Sequence, residues 1–180
     1  MKTKIFCDTA DYRIIKKFAK SFLVQGFTTN PSLMRLAGAK NYEKYAKKIL
    51  KICKTKPISF EVFADNSHDM IKQGLKITKW GKNVYVKIPV TNSKGKFSGS
   101  TIRYLSYKNI KLNITAVYTA KQTQKVIKNL NKNIKSIISI FAGRMADVGK
   151  DPIPIVKESI KVAKKYNKIQ ILWASTREPY

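Results

Sequence analysis

Lys87 stands inside the run VYVKIPVT (84–91), among valines, a tyrosine and an isoleucine. That composition predicts a strand buried on both faces, where an ammonium is costly and an unpaired lysine is rare. A lysine amine in apolar surroundings is placed to attack a ketone and form a Schiff base. The iminium then acts as an electron sink for cleavage of a neighbouring carbon–carbon bond. Dehydrating the preceding carbinolamine needs an acid and a positioned water, which Glu61 in ISFEVF (58–63) and Thr115 in KLNITAVY (111–118) could hold between them. Glu61 is one of only ten acidic residues, so its place in an apolar run calls for a purpose.

The elements that must position these groups recur at regular intervals. Short apolar or β-branched runs occur at 4–8, 26–30, 58–63, 83–90, 111–118, 134–142 and 169–175. Between them lie segments with helical apolar spacing, among them DYRIIKKFAKSF, NYEKYAKKILKICK, HDMIKQGLKITKW, TAKQTQKVIKNL and PIPIVKESIKVAKKY. Such alternation predicts βα units and a parallel sheet, as an α/β barrel or an open doubly wound sheet. No Gly-rich phosphate loop follows the first run, so the dinucleotide-binding version lacks its signature. Polar residues stand at the strand ends: Asp8, Thr28 to Asn30, Glu61, Asn113 and Thr115, Arg144, Ser175 and Arg177. In a barrel the strand C-termini open on one face and these groups converge, with Arg144 and Arg177 after the sixth and seventh strands suited to a substrate phosphate. Asp8 and Thr28 equally suit an ordinary structural role at helix entry.

Composition narrows the function classes. The 180 residues are 43% hydrophobic, enough for one sizeable core, and the expectation is a single domain over 1–180. The formal charge of +27 invites a nucleic-acid reading. The lysines, however, recur singly or in pairs along nearly every helical segment, without a stripe or blocked tail, and imply solvated faces rather than a specific nucleic-acid partner. Arginine is confined to Arg13, Arg35, Arg103, Arg144 and Arg177. A chain that uses lysine almost everywhere keeps arginine where its planar fork is needed. Cys7 and Cys53 have neither metal-ligand spacing nor disulfide density and are expected to be reduced. A sole histidine, His68, excludes a Ser-His-Asp hydrolase and a multi-histidine metal site and reads as a surface or capping residue. Asp65, Asp69 and Asp147 read as helix-entry acids. No apolar run reaches membrane-span length and no secretory pattern opens the chain, which predicts a cytoplasmic protein without membrane partners.

FCDTA (6–10), TTNPS (28–32), FEV (60–62), VKIPVT (86–91), NITAVYTAKQ (113–122), FAGR (141–144) and WASTRE (173–178) together give the chain a resemblance to the small transaldolases, the branch that also includes fructose-6-phosphate aldolase. The resemblance implies a (β/α)8 TIM-barrel type fold and a class I Schiff-base enzyme with Lys87 as the Schiff-base lysine. Asp8 would be the acid/base carboxylate, and Glu61 and Thr115 would hold the catalytic water. Asn30 and Asn113 would bind the dihydroxyacetone portion, with Thr28 lining the same pocket, while Arg144, Ser175 and Arg177 would grip phosphate. The aldolase branch has Gln where this chain has Glu61 and Tyr where it has Phe141; both positions match the transaldolase type. Transfer of a three-carbon unit from a ketose phosphate to an aldose phosphate, as in the pentose phosphate pathway, is therefore expected over release of dihydroxyacetone. No cofactor or metal is implied, because the lysine is itself the electron sink.

Three departures accompany the resemblance. Segment 91–111 is longer than in the common small transaldolases, Ala146 occupies a position that is frequently acidic, and the chain ends at Tyr180 directly after the seventh strand. Relatives continue with an eighth strand and C-terminal helices that help build a homo-oligomer, so a C-terminally truncated barrel is expected. The alternatives are an aldolase that releases dihydroxyacetone and an inactive barrel relic whose basic surface binds polyanions.

Overall fold

Short polar side chains start the helices that return each strand to the sheet. Asp11 accepts hydrogen bonds from the amides of Arg13 and Ile14 and caps α1 (Tyr12–Ala19), Asn30 caps α2 (Pro31–Leu36) through Leu33, and Asn41 caps α3 (Tyr42–Ile52) through Lys44. Thr119 and Gln122 form a reciprocal capping box on α6 (Ala120–Asn129). Each such cap satisfies backbone donors that a helix leaves unpaired at its start and contributes about 1 kcal/mol.

The computed structural model describes residues 3–176. The remaining helices are α4 (Ser67–Ile77), extended by a 3-10 turn over Thr78–Trp80, α5 (Gly99–Tyr107), α7 (Ala142–Ala146) and α8 (Ile153–Ala163). They alternate with β1 (Ile5–Asp8), β2 (Val24–Thr28), β3 (Ile58–Glu61), β4 (Val84–Pro89), β5 (Leu112–Val117), β6 (Ser136–Ile140) and β7 (Ile169–Trp173). The seven strands form one sheet in the order β1-β2-β3-β4-β5-β6-β7. No strand is skipped, and this separates the two predicted architectures: a doubly wound sheet reverses direction at a switch point, whereas a (β/α) barrel adds each strand beside the last. The architecture is α/β with seven strands of the barrel series.

The chain divides into two compact units, one made of residues up to Phe63 together with Lys72–Val86, the other of Ala64–Ile71 together with Lys87 onward. In the first, β1/β2 and β2/β3 are parallel, with Asp8 opposite Thr28 and Thr28 opposite Ser59. Its core includes Ile15, Phe27, Met34, Ile49, Ile58 and Phe60. Gly26 lies opposite Phe6 on β1, and a Cβ at that position would strike the Phe6 ring. Lys56 pins the α1–β2 turn by donating to the carbonyls of Phe18, Ser21 and Val24. In the second unit, β5/β6 and β6/β7 are parallel, and Ile88, Ile102, Leu105, Leu112, Ile114 and Leu130 are fully buried.

Six of the seven predicted strand runs contain an observed strand and the run 26–30 overlaps the end of β2, which starts two residues earlier at Val24; the five helical segments correspond to α1, α3, α4 with its 3-10 turn, α6 and α8. Helices α2, α5 and α7 had no predicted counterpart. Two of them, over Pro31–Leu36 and Ala142–Ala146, are too short to show a 3.6-residue repeat, and α5 begins on Gly99 without a side-chain cap. Two of the acids read as helix-entry residues act elsewhere. Asp147 lies at the C-terminal end of α7, and Asp151 is the acid that receives an amide at the start of α8. Asp65 instead accepts the amide and hydroxyl of Ser93 at 2.7 Å each and so anchors the 91–98 loop. Cys7 and Cys53 are free thiols.

Candidate active site

Parallel neighbours end on the same edge, so the ends of β1, β2 and β3 bring Asp8, Thr28 and Glu61 to one side of the first unit. Thr28, which is buried, donates from Oγ1 to Oδ1 of Asp8 at 2.6 Å. A bond this short to a carboxylate is a charge-assisted one, and it fixes the carboxylate rotamer while Asp8 itself stays exposed. Asn30 follows two residues later. Its Oδ1 accepts from the Leu33 amide at 2.9 Å, so the capping role orients the side chain with the Nδ2 donors turned away from α2.

Glu61 closes β3 and is half-buried. Side chains alternate along a strand, so Glu61 and Ser59 share one face while Phe60 takes the other, where its ring meets Trp80 at 5.7 Å. The backbone of Glu61 is held by a residue that sequence reasoning missed. The Tyr42 hydroxyl donates to the Glu61 carbonyl at 3.1 Å and accepts from the Glu61 amide at 3.0 Å. Tyr42 opens α3, a segment legible only as an amphipathic helix, and no local pattern announces the contact. A cavity of about 330 Å³ beside it is lined by Tyr42, Phe63, Ile77 and Trp80 among others, and by none of the predicted site residues.

In the second unit Lys87 occupies the middle of β4 and is 6% exposed, between Val86 and Ile88 at 0%. The burial expected from its neighbours is therefore present. Asn113 and Thr115 lie two residues apart on β5 and share a face. Both are buried, Asn113 fully, and Oδ1 of Asn113 accepts from the Ser139 hydroxyl of β6 at 2.7 Å. Ser139 was not among the predicted residues; it is one of two serines within SIISI, and a hydroxyl inside an apolar run is the one signal that could have found it. The Thr115 hydroxyl is buried and makes no hydrogen bond among the described residues. Directly after it Ala116 takes φ 57°, and the β5/β6 register shifts between Ile114 and Val117. This is a bulge of the kind that re-aims a side chain at a strand end.

Phe141 precedes α7, donates its amide to the Val117 carbonyl at 3.0 Å and packs edge-on against Tyr118 with ring centroids 5.8 Å apart. Arg144 lies on α7 and is exposed. Ser175 follows β7 in the left-handed region at φ 58°, after the Ala174 amide continues the ladder to Ile140. Arg177 falls outside the described residues. His68 is exposed in the first turn of α4.

The consecutive strand order agrees with the comparisons to known proteins. The family model described as "Transaldolase/Fructose-6-phosphate aldolase" matches residues 5–180. A probable transaldolase of Thermoplasma volcanium is 38% identical over 179 residues, which cover 98% of this chain and 76% of that protein. Similar proteins of the same description occur in Lactiplantibacillus plantarum, 37% identical over 177 residues (98% of this chain, 77% of the relative), and Herpetosiphon aurantiacus, 32% identical over 177 residues (98% and 76%). With its consecutive seven-strand order and a buried lysine at the centre of the fourth strand, the chain belongs to the transaldolase/fructose-6-phosphate aldolase family.

Proposed function

We propose that the protein is a transaldolase that moves a dihydroxyacetone unit from a ketose phosphate, such as fructose 6-phosphate or sedoheptulose 7-phosphate, to an aldose phosphate. The observation that carries this reading is Lys87, an amine 6% exposed within an apolar strand of a chain in this family. The Lys87 nitrogen attacks the ketone carbon, the carbinolamine loses water, and the iminium accepts the electron pair released when the bond between the third and fourth carbons breaks. Asp8 takes the proton of the hydroxyl on the departing carbon, which leaves as an aldose phosphate. Addition of the enamine to a second aldose phosphate and hydrolysis complete the transfer. The water of these steps is held by Glu61 and Thr115, a role that suits the buried Thr115 hydroxyl, which needs a partner. Asn30, Asn113 and Thr28 bind the three-carbon end. Arg144, Ser175 and Arg177 bind the phosphate, and Phe141 stands where the aldolases carry a tyrosine. No helix among the described residues is long and apolar enough to cross a membrane. The place of action proposed is the cytoplasm, within carbohydrate metabolism, as a homo-oligomer.

Borohydride reduction in the presence of fructose 6-phosphate, followed by peptide mass mapping, tests the chemistry. The expected product is a three-carbon adduct on Lys87 that is absent from Lys87→Met. A folded protein without an adduct, or with the adduct on another lysine, overturns the assignment. Product formation that depends on an added aldose phosphate distinguishes transfer from an aldolase that releases dihydroxyacetone.

A further inference from the structure

Strand β3 outlasts its neighbour. The β2/β3 ladder pairs Phe27 with Ile58 and Thr28 with Ser59, and the Thr29 amide then reaches the Ser59 carbonyl at 3.1 Å before the chain enters α2. Backbone groups two residues apart on a strand face the same edge, so the amide and carbonyl of Glu61 face the side where β2 has departed. Buried backbone groups of this kind need partners. Both are met by one atom, the Tyr42 hydroxyl, at 3.0 and 3.1 Å.

The Tyr42 ring is itself fixed. It meets Phe63 edge-on at 5.7 Å and Trp80 at 5.9 Å, and Trp80 in turn meets Phe60 at 5.7 Å. Burial pushes the phenol well above its usual pKa, and the hydrogen bond with the Glu61 backbone only partly offsets this. The hydroxyl thus donates to the Glu61 carbonyl and accepts from the Glu61 amide.

We propose that Tyr42 is a positioning residue that substitutes for the missing strand neighbour of Glu61 and sets the direction in which the Glu61 carboxylate leaves β3. The inference rests on the role proposed for Glu61 in handling the water of Schiff-base formation. A carboxylate that must orient one water tolerates little misplacement; an error near 1 Å at such a group costs on the order of 100-fold. The effect proposed for Tyr42 passes through the Glu61 backbone that its hydroxyl holds.

The test is Tyr42→Phe, which keeps the ring and its aromatic contacts and removes only the hydroxyl, made in the native chain and in Glu61→Gln. The readout is the rate at which the borohydride-trappable adduct with fructose 6-phosphate forms, together with kcat and KM for transfer. Tyr42→Phe is expected to slow adduct formation and kcat about 10- to 100-fold with KM within about twofold, and to have no further effect in Glu61→Gln. An unchanged rate in the single variant overturns the proposal, as does an equal loss in both backgrounds, which would mark a general structural defect. If the native chain forms no adduct, the functional reading fails first and this inference falls with it. Should Tyr42→Phe not fold, amide hydrogen exchange at Glu61 in the native protein decides: slow exchange upholds the anchor, and exchange at the rate of an exposed amide overturns it.

Discussion

The Thr28 hydroxyl donates to the Asp8 carboxylate at 2.6 Å across the directly paired ends of β1 and β2. Thr28 thereby sets the rotamer of the group proposed to take the proton during carbon–carbon cleavage. Asp8→Asn is expected to lower kcat by about 10²- to 10⁴-fold, the range of a lost general acid/base, while the borohydride adduct on Lys87 still forms. Thr28→Val, which removes only the positioning bond, is expected to cost about tenfold. Loss of the adduct in Asp8→Asn would show that Asp8 serves the Schiff-base step instead.

Asn113 depends on Ser139 in a similar way. Because Oδ1 accepts from the Ser139 hydroxyl at 2.7 Å, the orientation of the amide is set, and with it the direction of the Nδ2 donors proposed to meet the three-carbon end. Ser139→Ala leaves a buried acceptor without this partner and is expected to destabilise the fold by about 1 to 3 kcal/mol. KM for the ketose phosphate should rise several-fold. Urea denaturation and steady-state kinetics read the two effects separately, and a destabilised variant with native KM would confine Ser139 to folding.

Ala116 bears the strain of the bulge after Thr115. At φ 57° an L-residue pays about 1 to 2 kcal/mol that glycine does not. Ala116→Gly should therefore hold or raise the urea midpoint, with a gain of up to about 1 kcal/mol. Ala116→Val, β-branched in the left-handed region, should lower both the midpoint and activity, since it strains the backbone directly after Thr115. A neutral valine substitution would show that the bulge relaxes in solution.

Alkaline pH should weaken the fold. Burial pushes the Cys53 thiol up to about 11 from the ordinary 9.0, and burial raises Tyr45 and Tyr85 above the ordinary tyrosine value as well. For such a group the folded state keeps a proton that the unfolded chain releases, so the stabilisation is complete below about pH 9 and is lost as pH rises toward about 11. The urea midpoint is expected to fall across that window, and Cys53→Ala to flatten part of the slope. Iodoacetamide at pH 8 should spare Cys53 in the native state and modify it after unfolding. A midpoint that does not change between pH 9 and 11 would contradict the assignment.

Local patterning was enough to read much of this protein. The apolar runs and helical spacings located every strand and most helices, because a strand buried on both faces is written as a continuous run and an amphipathic helix as a 3.6-residue repeat. Lys87 was conspicuous for the same reason: a charge inside such a run violates the local pattern. Tyr42 violated nothing, since a tyrosine at the start of an amphipathic helix is unremarkable, and Ser139 was one small residue among isoleucines.

What the sequence determined by itself was therefore the set of elements, their alternation and the lysine that does not fit its surroundings, all properties carried by residues near one another along the chain. The tertiary structure decided the rest: that the strands lie in consecutive order, that Thr28 orients Asp8, that Ser139 turns Asn113, and that a hydroxyl from α3 holds both backbone groups of Glu61. These are hydrogen bonds between residues 19 to 26 positions apart. Their strength depends on tenths of an ångström and on exclusion of water, quantities that exist only once the chain has packed.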